Sequence, residues 1–99
     1  MSYKIFISPV AQKHIEEAVF YYKNKVSDKV ATMFIDDYKK TFNDIRNVLY
    51  FKFFFKNFRG KALKKFPYIV FYSLDEQQKA IIINAVFHTS QNTDKYTDL

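Results

Sequence analysis

The sequence predicts an α+β domain in the order β-α-α-β-β-β: a small, largely antiparallel sheet packed against an α-helical hairpin. Three observations predict it. Two consecutive segments in the first half carry apolar residues at three- and four-residue spacing, the period of a helix with one buried face. Three later segments are rich in β-branched and aromatic residues on both alternating faces, as in strands covered on both sides. The chain is 99 residues long with Gly 1 and Pro 2, which gives a single core over residues 1–99 and too few turn residues for a turn-dense all-β fold.

Tyr3-Lys4-Ile5-Phe6-Ile7 reads as the first strand. Ser8-Pro9 is a helix start, with Ser8 as N-cap and Pro9 at the first helical position, where its missing N–H costs nothing. Ala11, Ile15, Ala18, Val19, Tyr22 and Val26 then form an apolar stripe, and the helix runs to about Lys25. Ser27-Asp28 supplies the cap and acidic first turn of a second helix, with a stripe from Ala31 through Phe34, Ile35, Tyr38, Phe42 and Ile45 to Leu49. So short a connection makes the two helices an antiparallel hairpin. After about Tyr50 the helical period is lost. Phe58 to Lys64 reads as a strand with a bulge at Gly60, and Phe66-Pro67 as a break. Tyr68 to Leu74 reads as a central strand. Asp75-Glu76-Gln77-Gln78 is a turn into the last strand, Ala80 to Phe87, and a polar tail follows from His88. The last three strands form an antiparallel meander covered on one face by the helices.

Charge is concentrated. Lys+Arg 16 against Asp+Glu 10 gives +6, yet no acid lies between Asp44 and Asp75. That window holds Arg46, Lys52, Lys56, Arg59, Lys61, Lys64 and Lys65, so all of the excess belongs to one segment suited to a polyanion or an acidic protein. The same segment is crowded with rings, including Tyr50, Phe51, Phe53, Phe54, Phe55 and Phe58. Basic and aromatic residues so interleaved grip single-stranded nucleic acid in some proteins, but in a small domain most Phe fill the core. The run Phe53-Phe54-Phe55 cannot send all its rings to one side.

Composition excludes several chemistries. Cys is 0, so there is no disulfide framework, thiolate nucleophile or Cys-ligated metal. His14 and His88 are the only histidines, and the sheet half is poor in acids, so no metal and no cofactor is expected. A single glycine rules out a glycine-rich phosphate loop. The start, MSYKIFISPV, has no signal-peptide pattern, and no run approaches a membrane span, so a cytoplasmic protein without membrane contact is expected. One metal-free chemistry stays open, cleavage of RNA by its own 2′-hydroxyl. It needs an acid or base, for which His88 is the candidate with Tyr96 as a helper. It also needs cations for the phosphate, for which Arg59, Lys61, Lys64 and Lys65 are candidates. The plainer reading of His88 is a strand-end residue hydrogen-bonded locally. His14, early in the first helix, reads as a surface residue.

These residues together resemble the RelE/ParE superfamily of bacterial type II toxin–antitoxin toxins. The resemblance is carried by Tyr3…Ile7-Ser8-Pro9…Ala11, by Ala18…Tyr21-Tyr22 and Ala31…Phe34, and most by Phe58-Arg59…Phe66-Pro67-Tyr68-Ile69-Val70-Phe71-Tyr72 and Val86-Phe87-His88. It implies a cognate acidic antitoxin encoded nearby, laid over Phe51, Phe53, Phe54, Phe55 and Phe58. It also implies operator DNA bound only through that antitoxin, and a possible homodimer. For the target it implies one of two activities. ParE-like members poison DNA gyrase by binding it, and RelE-like members cut mRNA on the ribosome. The Phe-Pro-Tyr lead-in and lone His88 favour the ParE-like branch, with Arg59, Lys61, Lys64, Lys65, His88 and Gln91 as the target- or nucleic-acid-binding set. Ile69 stands where RelE-like chains carry an arginine, and Gln91-Asn92-Thr93 where ParE-like chains carry Arg-Asp-Pro. A neutral Gln91 lacks an arginine's bidentate grip on phosphate, so either activity leans on Arg59 and the lysines. A non-toxic, degenerate antitoxin-binding module is the third reading.

Overall fold

The computed structural model describes residues 3–90, and at Phe55 the backbone alone. The chain runs β1 (Lys4–Ile7), α1 (Pro9–Lys25), α2 (Asp28–Asn47), β2 (Phe53–Phe55), β3 (Phe58–Ala62), β4 (Tyr68–Asp75) and β5 (Ala80–His88). This is the expected order with one strand more. Phe53–Phe55, too short to show a period, forms a hairpin with β3. The sheet order is β1-β5-β4-β3-β2. β5, β4, β3 and β2 are antiparallel neighbours, and β1 joins the free side of β5 in parallel.

Both helix starts are capped by serine. The Ser8 hydroxyl accepts from Ala11 N at 3.0 Å, with Pro9 in the first turn, and the Ser27 hydroxyl accepts from Val30 N at 3.1 Å. The apolar stripes face the sheet much as their spacing demands. Ala11, Ile15, Ala18, Ala31, Phe34, Phe42 and Ile45 are buried, and most of them pack with Val70, Tyr72, Ile81, Ile83 and Val86 in the main core. Val26 lies past the end of α1 and is exposed. α2 buries two polar residues as well. Thr41 bonds the Asp37 carbonyl, and the Asp37 carboxylate accepts from Lys65 N and Phe66 N at 2.8 and 3.0 Å, fixing the β3–β4 loop to the helix.

The irregularities lie elsewhere than expected. Gly60 is in regular register with Phe71 and is not a bulge. Its use is space: a Cβ there would stand 2.6 Å from the Phe54 ring, which crosses the strand to meet Phe71 at 5.9 Å between ring centres. The informative bulge is at Asn84. Phe71 pairs with Ala85 and Tyr72 with Ile83, so Asn84 is one residue too many on β5. Before it, Ile81 and Ile83 face the helices. After it the parity reverses: Val86 faces the helices, while Ala85 and Phe87 join Ile69 and Phe71 in a second small core on the other face. The bulge also receives the start of α1, because Ser8 N donates to Ile83 O at 3.0 Å and the Ser8 hydroxyl donates to Asn84 O at 3.2 Å.

Candidate functional site

Two separate regions of the helix-facing side carry the chemically capable residues. The first is at the Tyr72 end of β4. Arg59 lies opposite Tyr72 and opposite Phe53, so its side chain shares their face. Its guanidinium carbon is 4.0 Å from the Phe53 ring centre and 5.2 Å from that of Tyr50, within cation–π range of both. Its Nη1 donates to Phe51 O at 2.8 Å. Two residues along β3, the Lys61 amine sits 4.9 Å from the Phe51 ring centre. The Tyr72 hydroxyl organises the floor. It is wholly buried, donates to Leu49 O at 2.7 Å and accepts from Phe51 N at 3.2 Å, so it pins the chain leaving α2 to the sheet. Burial raises the pKa of Tyr72, against the lowering effect of the Phe51 amide and Arg59.

Above this floor lies a cavity of about 370 Å³ lined by Tyr50, Phe53, Asn57, Arg59, Ser73, Leu74 and Glu76. Tyr50 donates a hydrogen bond to the Glu76 carboxylate across it. That bond, with some burial and the Glu76 charge, pushes the Tyr50 phenol up to about 12. Phe53 and Phe54 stay exposed at 56% and 47% and point to opposite faces: Phe53 against Arg59, and Phe54 against Phe71 with the Lys52 amine 5.8 Å from its ring centre. Phe51 is half-buried on the main core, and Phe58 half-buried on the second. Of the five phenylalanines expected at a partner surface, two thus present much of their rings to solvent, and Phe55 pairs with Phe58 in the hairpin.

The second region is at the Tyr68 end. His88 pairs with Tyr68 and stacks edge-on to it at 5.1 Å, and its Nδ1 accepts from Ser90 N at 3.1 Å. Burial first, then a hydrogen bond with Tyr22, raises the pKa of Tyr68. His14 belongs here too and is not the plain surface residue its position suggests. β1 ends opposite Ile83, and among the described residues no strand pairs with the outer edge of β5 beyond that point. His14 Nδ1 accepts from Val86 N at that edge, at 3.2 Å, and the ring packs on Phe87 at 4.9 Å. The imidazole then carries its proton on Nε2. His14, Glu17, Tyr21, Tyr68 and His88 line one groove, which continues past Tyr22 and Val26 to Ser90. The signal for His14 lay in β5, seventy-odd residues away, and helix periodicity could not show it.

Arg59 and His88 are not brought together. They lie on strands either side of β4, four residues apart along it, or about 13 Å along the sheet and about 10 Å across it. Lys64 and Lys65 belong to neither region. They line a cavity of about 300 Å³ with Met33, Asp36, Asp37 and Lys40 beside α2. The basic segment, continuous in sequence, is therefore divided in space. Gln91 and Tyr96 lie outside the described residues. Among the described residues no three of His, Cys, Asp and Glu gather as metal ligands, and no helix is long and apolar enough to cross a membrane.

No family model matches the sequence, and no curated protein matches it. Solved structures do. The chain is similar to a chain of the chromosomal ParDE TA system from P. aeruginosa, with a TM-score of 0.78 at 12% identity, over 89% of this chain and 97% of that one. It is also similar to a chain of the RelBE2 toxin–antitoxin complex from Mycobacterium tuberculosis, with a TM-score of 0.56 at 13% identity, over 89% of this chain and 99% of that one. With the strand order and helical hairpin above, these likenesses show that the chain has the RelE/ParE-type fold its motifs led us to expect.

Proposed function

We propose that this chain is the toxin of a type II toxin–antitoxin pair, held by an acidic antitoxin, and that it acts in the cytoplasm as a ParE-like protein by binding DNA gyrase. The fold likeness to a chain of a ParDE TA system supports the first part. The observation that carries the second is the separation of His88 from Arg59 and of both from Lys64 and Lys65. RNA cleavage by general acid–base catalysis needs the proton-transfer group and the phosphate-binding cation within hydrogen-bond reach of one phosphate. Recognition of a protein target needs no such convergence and uses exposed rings and cations over a broad face. The test is gyrase supercoiling in the presence of the purified protein. Inhibition, with gyrase trapped on DNA, is expected, and normal supercoiling in large excess of the protein overturns the reading.

One observation favours a second reading, ribosome-dependent mRNA cleavage. His14, Glu17, Tyr21 and His88 share a groove, which places two imidazoles and a carboxylate near one another without help from Arg59. On this reading growth arrest comes with cut transcripts, and His14→Ala and His88→Ala both abolish cutting while Arg59→Ala does not. Intact mRNA during full arrest excludes it.

A further inference from the structure

The outer edge of β5 is held by two different means. β1 pairs with it as a strand from Ala80 to Ile83. From Ile83 onward the start of α1 holds it with single groups. Ser8 N donates to Ile83 O at 3.0 Å, the Ser8 hydroxyl donates to Asn84 O at 3.2 Å, and His14 Nδ1 accepts from Val86 N at 3.2 Å. Val86 is 2% exposed, and an amide buried there without an acceptor costs as much as a lost hydrogen bond. The two Ser8 bonds are indifferent to pH, but the His14 bond is not. An imidazole accepts at Nδ1 only while it is neutral; protonated, it is a donor at both nitrogens and has nothing to receive the Val86 amide. The packing of the ring on Phe87, at 4.9 Å, makes no such demand. A proton on Nδ1 therefore breaks the bond to Val86 and leaves the Ser8 bonds in place.

We propose that His14 is a proton-operated latch on the outer edge of β5: neutral, it closes the edge at Val86, and protonated, it opens the edge between Val86 and the end of the strand at His88. The bond is made to the neutral ring, so what it contributes is whole above about pH 6.5, where a free imidazole is neutral, and is lost as pH falls below that. Among the described residues, the titratable groups that share the groove with the ring are Glu17 and Tyr21 of its own helix, Tyr68 of β4 and His88 of β5, and α2 contributes none. The Glu17 carboxylate favours a charged ring and so the open state, a charged His88 opposes it, and phenols stay neutral in this range. Opening leaves an unanswered N–H on a sheet edge, the kind of group to which a further extended chain pairs. It does so at the strand end that carries His88. The latch does not depend on what the chain acts upon, and it stands or falls apart from the toxin reading.

Nuclear magnetic resonance of the full chain at about pH 8 and about pH 5, either side of the ordinary imidazole value, tests it. At the higher pH the His14 ring is expected as the Nε2–H tautomer. Between the two, the protection of the Val86 amide against exchange, taken relative to a free amide at the same pH, is expected to fall about fivefold or more, with the midpoint of the His14 ring's own titration. Protection of the Ser8 amide, whose bond to Ile83 O carries no titrating group, should change less than about twofold. His14→Phe keeps a ring to lie on Phe87 and loses the acceptor, so Val86 should be poorly protected at both pH values. His88→Asn should leave the response of Val86 as it is. An Nδ1–H tautomer at about pH 8, a His14 ring still neutral at about pH 5, or Val86 protection that holds while His14 titrates overturns the proposal. So does a Val86 response that follows the His88 ring or persists in His14→Phe. Should either variant fail to fold, the unsubstituted protein decides alone, because its two ring titrations and the two amides are read separately.

Discussion

The two ends of β4 use the same materials, tyrosines and rings, for different ends. At the Tyr68 end the rings close on one another. Tyr22 and Phe34 pack on one another and each on Phe66 and Tyr68, with ring centres 5.0 to 6.3 Å apart, and His88 at the mouth leans on Tyr68 and the Ser90 amide. At the Tyr72 end the rings close on a cation. Tyr50 and Phe53 flank Arg59 and do not finish the core, so Tyr50 remains 59% exposed. The difference teaches where stability and where binding reside. Rings that meet rings bury apolar area on both partners, whereas rings that meet a solvated guanidinium leave donors and aromatic surface to be satisfied by something else.

The largest expected effect that sharpens this contrast is at Asp37. It is 4% exposed and accepts two backbone N–H bonds from the loop that leads into Tyr68. Asp37→Ala leaves both amides without their acceptor, and should cost about 3 kcal/mol in urea unfolding. Glu76→Ala at the Tyr72 end removes an exposed carboxylate and should stay within about 0.5 kcal/mol. Equal costs would mean that the two ends do not divide stability and binding as drawn.

Tyr72→Phe comes next, at about 1–2 kcal/mol, because its hydroxyl joins Leu49 O and Phe51 N in a buried position. Its loss should free the 49–51 segment and with it the carbonyl that holds Arg59, so amide exchange is expected to quicken at Phe51 and stay slow at Val86 and Phe87. Ser8→Ala is smaller, about 1 kcal/mol for a lost N-cap, and should be felt at the opposite place, the Asn84 bulge to which Ser8 also donates. Quickened exchange at Asn84 without change at Phe51 is the pattern to look for in that variant.

What the sequence showed and what it hid follow from the range of the interactions. Ser8-Pro9 and Ser27 cap their helices through bonds three residues long, and the stripes from Ala11 and Ala31 repeat within a turn or two, so both helices were legible to within a couple of residues. The meander was legible because its strands follow one another. The parallel seat of β1 beside β5 and the role of His14 depend on pairings more than seventy residues apart and leave no local trace. Gly60 misled because a lone glycine in a strand marks either a bulge or a close approach, and here it is the close approach of Phe54. Asn84 carries the bulge with no glycine to announce it. The basic segment misled in another way: charge contiguous in sequence was split by the β3–β4 loop into Arg59 and Lys61 on the strand and Lys64 and Lys65 beside α2.

The smallest effect, and the one that tests the Tyr72 end most directly, is alkaline titration. The phenols of Tyr50, Tyr68, Tyr72 and Tyr38 are all raised above their ordinary 10.0, Tyr50 chiefly by its bond to Glu76 and the others chiefly by burial. A raised phenol pKa means the fold favours the neutral form. The contribution is therefore complete below pH 10.0 and is lost as pH rises, for Tyr50 across the interval up to about 12. The part of the stability that these phenols carry should fall steadily above pH 10.0. Absorbance titration of Glu76→Gln should return one phenol toward 10.0, since the carboxylate acceptor and its charge are both gone, and leave the buried phenols where they were. If Glu76→Gln moves no phenol, Tyr50 does not hold Glu76 in solution. Glu76 then stands free to pair with Arg59, and the two ends of β4 would differ far less in what they offer a partner.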